Sequence, residues 1–401
     1  MTNAASSRSP RFRWSARRGG TAVIVIALAV VIGGVAAADT PPPGPVHSRY
    51  ESSTVSLSRD CGFSQALPSG KSLWLFCDTE VWKNSTQASL IWGNTAAEGP
   101  YSVGKVPTGL TEVPSPPKTL TFSATTPPQR FQPNPTDLYA PSTSSPKKCP
   151  TPLAWPNGVS TVPGKPSLLL IVYIEVCNSS GVKTVEGVEL VEYNSVLNRV
   201  VGGPWEVYKA TTTGATLPVP ERLGSPILST DQTTLYFFSS SCTLISGACG
   251  SGAVYLAKVA ASATAWSSAA NYRFWDPTSQ TWVASQASAG PLFNDGGYGA
   301  IAVTVASYPG RGLELIEHED LAGGYKVWRQ AASVPTGSWT AGASGSLPNC
   351  SGSFHKVGFF CRSLVGHSEL STSTDLLLSY FTPDTVNYPP AGHEIVVAIP
   401  W

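Results

Sequence analysis

The sequence predicts an all-β fold, a five-bladed β-propeller preceded by an N-terminal signal or membrane-anchor segment. Three observations carry this. First, a turn-rich segment leads five times into a short, strongly apolar strand: SLWLFCDT at Ser72, SLLLIVYIEV at Ser167, TLYFFSSS at Thr234, GAIAVTVAS at Gly299 and DLLLSYFT at Asp375. The last four begin 67, 65 and 76 residues apart. Second, each is followed by another strand-like segment (ASLIWGNT, VEGVELVEYN, GAVYLAKVA, GLELIEHED, HEIVVAIPW). Aromatic segments such as GPWEVYKA and QTWVASQ suit outer strands. Five units of about four strands are the pattern of propeller blades, and continuous apolar strands fit middle positions covered on both faces. Third, with 13% charged residues, 37 Gly and 35 Pro, the chain favours short strands joined by turns, and no long amphipathic helix stands out. A pair of β-sandwiches is the alternative.

The N-terminus comes first in order. Arg8, Arg11, Arg13, Arg17 and Arg18 precede an apolar run over residues 21–38, and Ala36-Ala37-Ala38 before Asp39 reads as a cleavage site. This is the layout of a secretory signal. The run is long for a signal core, so a retained membrane anchor is the rival. Arg17-Arg18 also permits a twin-arginine reading, with weak flanking support. All place the remainder outside the cytoplasm, secreted or tethered through residues 21–38, because the arginines favour the inner side. Residues 39–50 (DTPPPGPVHSRY) read as a Pro-rich tether, and 51–401 as the propeller. A Pro/Ser/Thr-rich insertion at 113–150 accounts for the 95-residue gap between the first two repeats.

Charge and cysteines narrow the function. A net charge of +1 argues against nucleic acid, which calls for a basic face. The expected partner is a polysaccharide and the expected state a monomer. Eight cysteines without CxxC spacing suit disulfides in an oxidising compartment, and no metal site is expected. Sequence alone leaves the connectivity open. Pairing near neighbours gives Cys61–Cys77, Cys149–Cys177, Cys242–Cys249 and Cys350–Cys361.

The stretch RDCGFSQALPSGKSLWLFCDT, from Arg59, places an Asp-Cys and a Cys-Asp on either side of Pro68-Ser69-Gly70. That tripeptide is a good hairpin loop, with Gly able to take the left-handed position. Centred on Ser69, the hairpin sets Cys61 opposite Cys77 and Asp60 opposite Asp78. Opposed residues in an antiparallel pair lie about 4.5–5.5 Å apart at Cα, which permits a disulfide. Alternation would send the aspartates to the face opposite the cysteines. A bulge at Gly70 would slip this register by one residue. Facing carboxylates repel, and one pKa tends to rise; acid–base chemistry uses such a split. The bland reading is a pair of structural carboxylates held by Arg59 and backbone amides.

RDCGFS…LWLFCDT resembles the opening of a family of secreted actinobacterial five-bladed propellers whose typical form is RDGG-S…W-FGDT. Members are endo-D-arabinofuranase-type glycoside hydrolases that cut cell-wall arabinan. The resemblance implies that Asp60 and Asp78 are the essential acidic pair. Trp155 in WPNGV, Ser225 in GSPILSTDQTTLYFF and His367 in HSELSTSTDLLLSY look similar to the family's inner-strand starts in the second, third and last blades. Cys61 and Cys77 stand where the family has Gly, which is consistent with an added disulfide. Ser368 stands where the family has Pro.

Asp60 and Asp78 are thus the candidate catalytic carboxylates, since glycoside hydrolysis needs an acid for the leaving oxygen and a second carboxylate as base or nucleophile. His367 and Glu369, two apart, would share a strand face and bind sugar hydroxyls, or be buried and bonded near the blade centre; Glu369 is an alternative acid. Arg59 is read as orienting a carboxylate or substrate, or as a surface arginine. Trp155 is read as a sugar platform or as core. Ser225 and Asn157 are placed only by their inner-strand positions. Asp295 is expected in a turn, and His318 and Asp320 on a solvated blade edge. No organic cofactor is implied, and a structural calcium in the channel would carry no sequence signature. The rival function is a non-catalytic propeller that binds carbohydrate or protein.

Overall fold

A computed structural model describes residues 44–114, 127–136, 139–140, 147–179, 182–209, 223–245, 248–295, 303–319, 323–348, 350, 361–383 and 392–401. The leader at 21–38, residues 39–43, Asp320 and parts of the 113–150 insertion lie outside them.

Five antiparallel sheets form the propeller. The first blade runs Phe63–Ala66, Lys71–Phe76, Thr95–Pro100 and Thr111–Val113 from centre to rim. The second runs Thr151–Val162, Lys165–Ser179, Val182–Asn194 and Arg199–Lys209. In the third, Leu223–Leu228, Thr234–Ile245 and Ala248–Ala260 are followed outward by Arg273–Asp276 and Thr281–Val283. The fourth contains Val303–Tyr308, Gly312–Glu319, Gly324–Gln330 and Thr340–Ser346. The last has Arg362–Gly366, Asp375–Pro383 and Gly392–Pro400.

The outermost strand of the last blade is Gly44–Pro45, from the start of the described chain. Gly44 pairs with Val396 and Pro45 with Ile395, and Val46 N–H donates to Glu394 O at 2.8 Å. Three residues on, Arg49 N–H donates to Leu110 O at 2.9 Å, beside the rim strand of the first blade. A segment read as part of a tether therefore bridges the last blade to the first.

The second strands are buried on both faces, as in Lys165–Ser179, where every residue from Leu169 to Cys177 is buried. That is why they stand out in the sequence. The fourth repeat departs by one strand. The apolar segment GAIAVTVAS ends in the inner strand Val303–Tyr308, while GLELIEHE is the middle one. The middle strand carries Glu314 and Glu317, both 0% exposed, so hydropathy points one strand too far inward. Glu314 lies 3.4 Å from Arg311 and 3.5 Å from Arg329.

Side chains join the inner strands of neighbouring blades, and one from the seam of the first blade joins the inner strand of the second. Ser225 Oγ receives Val305 N–H at 2.7 Å, Asn157 donates to Leu223 O at 3.2 Å, and Asn94 donates to Ala154 O at 2.9 Å. Each link supplies a partner to a buried backbone group, which would otherwise be costly.

Cys61–Cys77, Cys149–Cys177 and Cys350–Cys361 are disulfides. The Cys242–Cys249 expectation falls on side chains outside the described set. No helix among the described residues is long and apolar enough to cross a membrane.

Candidate active site

Three consecutive long strands of the first blade are interrupted at one level. Val55–Arg59, Thr79–Lys83 and Thr86–Ile91 form a separate three-stranded sheet continuous in chain with the blade. The breaks fall at residues 60–62, 77–78 and 92–94. Both aspartates sit in this seam.

The hairpin has the expected register. Phe63 pairs with Leu75, Ser64 with Trp74, Gln65 with Leu73 and Ala66 with Ser72, which centres it on Ser69, with no slip at Gly70. Cys61 and Cys77 are 5.4 Å apart at Cα. The expected alternation fails. Cys61 has φ +81° and Gly62 φ +67°, a left-handed reversal that ends the pleat. Asp60, Cys61 and Cys77 therefore line the same cavity.

That cavity has a volume of about 290 Å³. Its polar lining includes Asp60, Trp155, Asn157, Lys183, His318 and Arg362, against an apolar wall with Phe63, Ile174 and Val176. Asp60 Oδ2 accepts from Arg362 Nε at 2.7 Å, and Arg362 lies 3.8 Å from the centre of the Phe381 ring. Asp78 Oδ1 accepts from Gly93 N–H at 2.8 Å and from Trp155 Nε1 at 3.0 Å. Burial, and then the Asp60 charge, push Asp78 above the usual carboxylate range, against those two hydrogen bonds and the charge of Lys183. Lys183 Nζ sits 4.8 Å from the Trp155 ring centre. Trp155 is thus neither plain core nor an open sugar platform: its edge holds Asp78 and one face meets an ammonium.

More carboxyls surround the pair. Burial raises Glu80, which accepts from Trp82 Nε1 at 2.9 Å. Burial also raises Glu394 well above its ordinary value, with the charge of Asp60 adding and that of Arg362 opposing. Asp60, Cys61 and Cys77 are close enough to suggest metal ligation, but the two thiols are consumed in the disulfide.

Asp78 is not itself among the cavity-lining residues and is joined to the wall through Trp155; the remaining candidates lie elsewhere. Arg59, 5% exposed, pairs with Glu112 at 2.5 Å and covers the Phe76 ring. It is neither a surface residue nor part of the cavity, because its strand belongs to the separate sheet. His367 is fully buried against Trp74, with Nδ1 2.6 Å from Ser64 Oγ. Burial drops its pKa to about 3, so the ring is neutral. Glu369 accepts from the same Ser64 hydroxyl and is raised by burial. His367 and Glu369 occupy the turn after Arg362–Gly366 rather than a strand face, and neither is among the cavity-lining residues. Ser225 stitches two blades, while Asn157 stitches two blades and also reaches the cavity.

One bland expectation is overturned. His318 is 6% exposed and lines the cavity, its pKa lowered to about 4 by burial. Asp295 is fully buried, and its charge helps burial raise Glu317 to about 9. Sequence reasoning missed Arg362 and Lys183. Arg362 opens an inner strand of a low-charge chain, the one signal that could have singled it out.

A larger recess of about 900 Å³ beside the second blade is lined by Arg130, Gln132, Glu175 and Glu189 among others, and holds none of the predicted site residues.

No family model matches the sequence, and no curated protein matches it. Among solved structures, a proposed hydrolase from Bacteroides ovatus superposes with a TM-score of 0.53 at 14% identity, covering 84% of this chain and 85% of its own. Glycoside hydrolases are also similar. The catalytic domain of the Coprinopsis cinerea family-62 α-L-arabinofuranosidase has a TM-score of 0.42 at 10% identity, covering 85% and 90%. The Xanthomonas citri GH43_1 enzyme has 0.44 at 8%, covering 90% of each chain. These likenesses concern the fold.

Proposed function

We propose that the chain is a secreted glycoside hydrolase that cleaves an arabinose-containing polysaccharide, cell-wall arabinan first among them. The observation that carries this reading is the contrast between two carboxyls in one seam. Asp60 is ion-paired with Arg362 at the cavity wall. Asp78 is pushed towards its protonated form by burial and by Asp60. Environments that separate two carboxyls assign the acid and the base. Asp78 is the acid: Oδ1 takes both backbone and indole N–H groups, which leaves Oδ2 to hold the proton given to the leaving oxygen. Asp60 is the carboxylate that activates water or attacks the anomeric carbon. The first-blade motif supports arabinan as substrate. The cavity, at the small end of ligand sites, suits one sugar ring held at the point of cleavage.

Residues 39–401, oxidised, should release oligosaccharides from one of D-arabinan, L-arabinan and arabinoxylan. Asp60→Asn should release none while keeping its melting temperature. No release from any polymer, with binding retained by both proteins, would replace this reading with that of a carbohydrate-binding propeller.

A further inference from the structure

Cys61 is the one half-cystine among the described residues with a positive φ, +81°. A residue with a Cβ rarely holds that conformation, and does so only where its surroundings enforce it. Here they do. Gly62 follows at φ +67°, and a Cβ there would collide with Glu394 Oε1 and with Ser379 Oγ. Cys77, bonded to Cys61, donates its backbone N–H to Asp60 O at 2.8 Å. Each half of the disulfide is covalently next to one aspartate.

A staple for the hairpin would not need this bond. The ladder from Phe63 to Ala66 already fixes the register, and the disulfide spans a separation of only 16 residues, so it constrains the unfolded chain less than a bond closing a long loop would. What the bond does hold is the strained residue at the cavity wall.

We propose that the Cys61–Cys77 disulfide is a positioning element of the site: it keeps Cys61 left-handed and so fixes Asp60 against Arg362 and Asp78 against Trp155. This rests on reading the two aspartates as the reacting pair. Glycine adopts the same conformation without a clamp, which separates positioning from stapling.

The test compares C61A/C77A with C61G/C77A. Both lack the cross-link and should lose melting temperature, C61A/C77A the more because Ala is strained at a positive φ. C61A/C77A should lose kcat by about tenfold to hundredfold, as misplaced reacting groups do, with KM little changed. C61G/C77A should regain most of it. A second readout needs no substrate. The Trp155 indole N–H resonance, assigned with Trp155→Phe, reports the bond to Asp78; it should move in C61A/C77A and stay native in C61G/C77A. Wild-type kcat and an unmoved indole signal in C61A/C77A would overturn the proposal, as would equal losses in both doubles. If no glycan is turned over, the indole signal alone decides. If C61A/C77A does not fold, a native signal in C61G/C77A supports positioning and a shifted one overturns it.

Discussion

Arg362 Nε lies 2.7 Å from Asp60 Oδ2 across 302 residues of sequence, so the last blade completes a charge pair begun in the first. The guanidinium carbon lies 3.8 Å from the centre of the Phe381 ring. Arg362→Ala leaves Asp60 facing Glu394 and Asp78 without its counter-charge. The expected result is a drop in kcat/KM of about hundredfold, the scale of losing one preorganised electrostatic partner. Arg362→Lys should recover only part, since an ammonium does not reproduce the planar fork. Steady-state kinetics on the responsive polymer check both.

As the proposed acid, Asp78 is expected to set the alkaline limb of activity. Its pKa is raised, chiefly by burial, so it stays protonated above the ordinary carboxylate range. The acid is lost as pH rises through that value. The Trp155 bond favours the ionised form, so Trp155→Phe should move the alkaline limb of kcat/KM to higher pH. A pH–rate profile that does not move, or moves down, contradicts the assignment of Asp78 as acid.

Glu317 ties stability to pH in the opposite sense to a salt-bridged acid. Folding raises its pKa from 4.5 to about 9 by burial and by the charge of Asp295. The unfolded chain releases this proton first, so the folded state loses stability as pH climbs from 4.5 towards about 9. Glu317→Gln keeps the bond from Trp328 Nε1, 2.6 Å in the native chain, through its amide oxygen. Melting temperature should therefore fall less steeply with pH in the variant than in the parent.

Arg59 is assigned to stability, not substrate. Arg59→Met strands the Glu112 carboxylate, which is 3% exposed at its side chain, and should cost about 3–5 kcal/mol, as breaking a buried pair does. R59M/E112L removes both charges and should recover much of that in denaturant melts. KM of the folded fraction should match wild type; a raised KM in R59M/E112L would return Arg59 to the binding site.

Much of the fold was legible because its signals are local. The hairpin about Ser69 follows from turn chemistry and a period of two, and the middle strands from unbroken apolar runs. Legibility failed where local rules yield to context. Two buried glutamates disguised the middle strand of the fourth blade. A left-handed Cys61 turned the cysteines to the same cavity as Asp60. Arg362 offered no signal beyond being a charge in a low-charge chain, because what makes it important is a contact with Asp60 formed only when the ring closes. His318 looked solvated because burial of a polar group has no signature in a single chain.

Gly44–Pro45 also decides where the molecule is vulnerable. These residues cap the Gly392–Pro400 edge, beginning six positions after the end of the small-residue run at Ala38. A protease that trims slightly past that run would bare the backbone donors and acceptors at Ile395 and Val396. An uncovered strand edge recruits other chains. Trimming that passed Pro45 would therefore open this strand edge to pairing with other chains, and trimming that stopped before Gly44 would leave it capped.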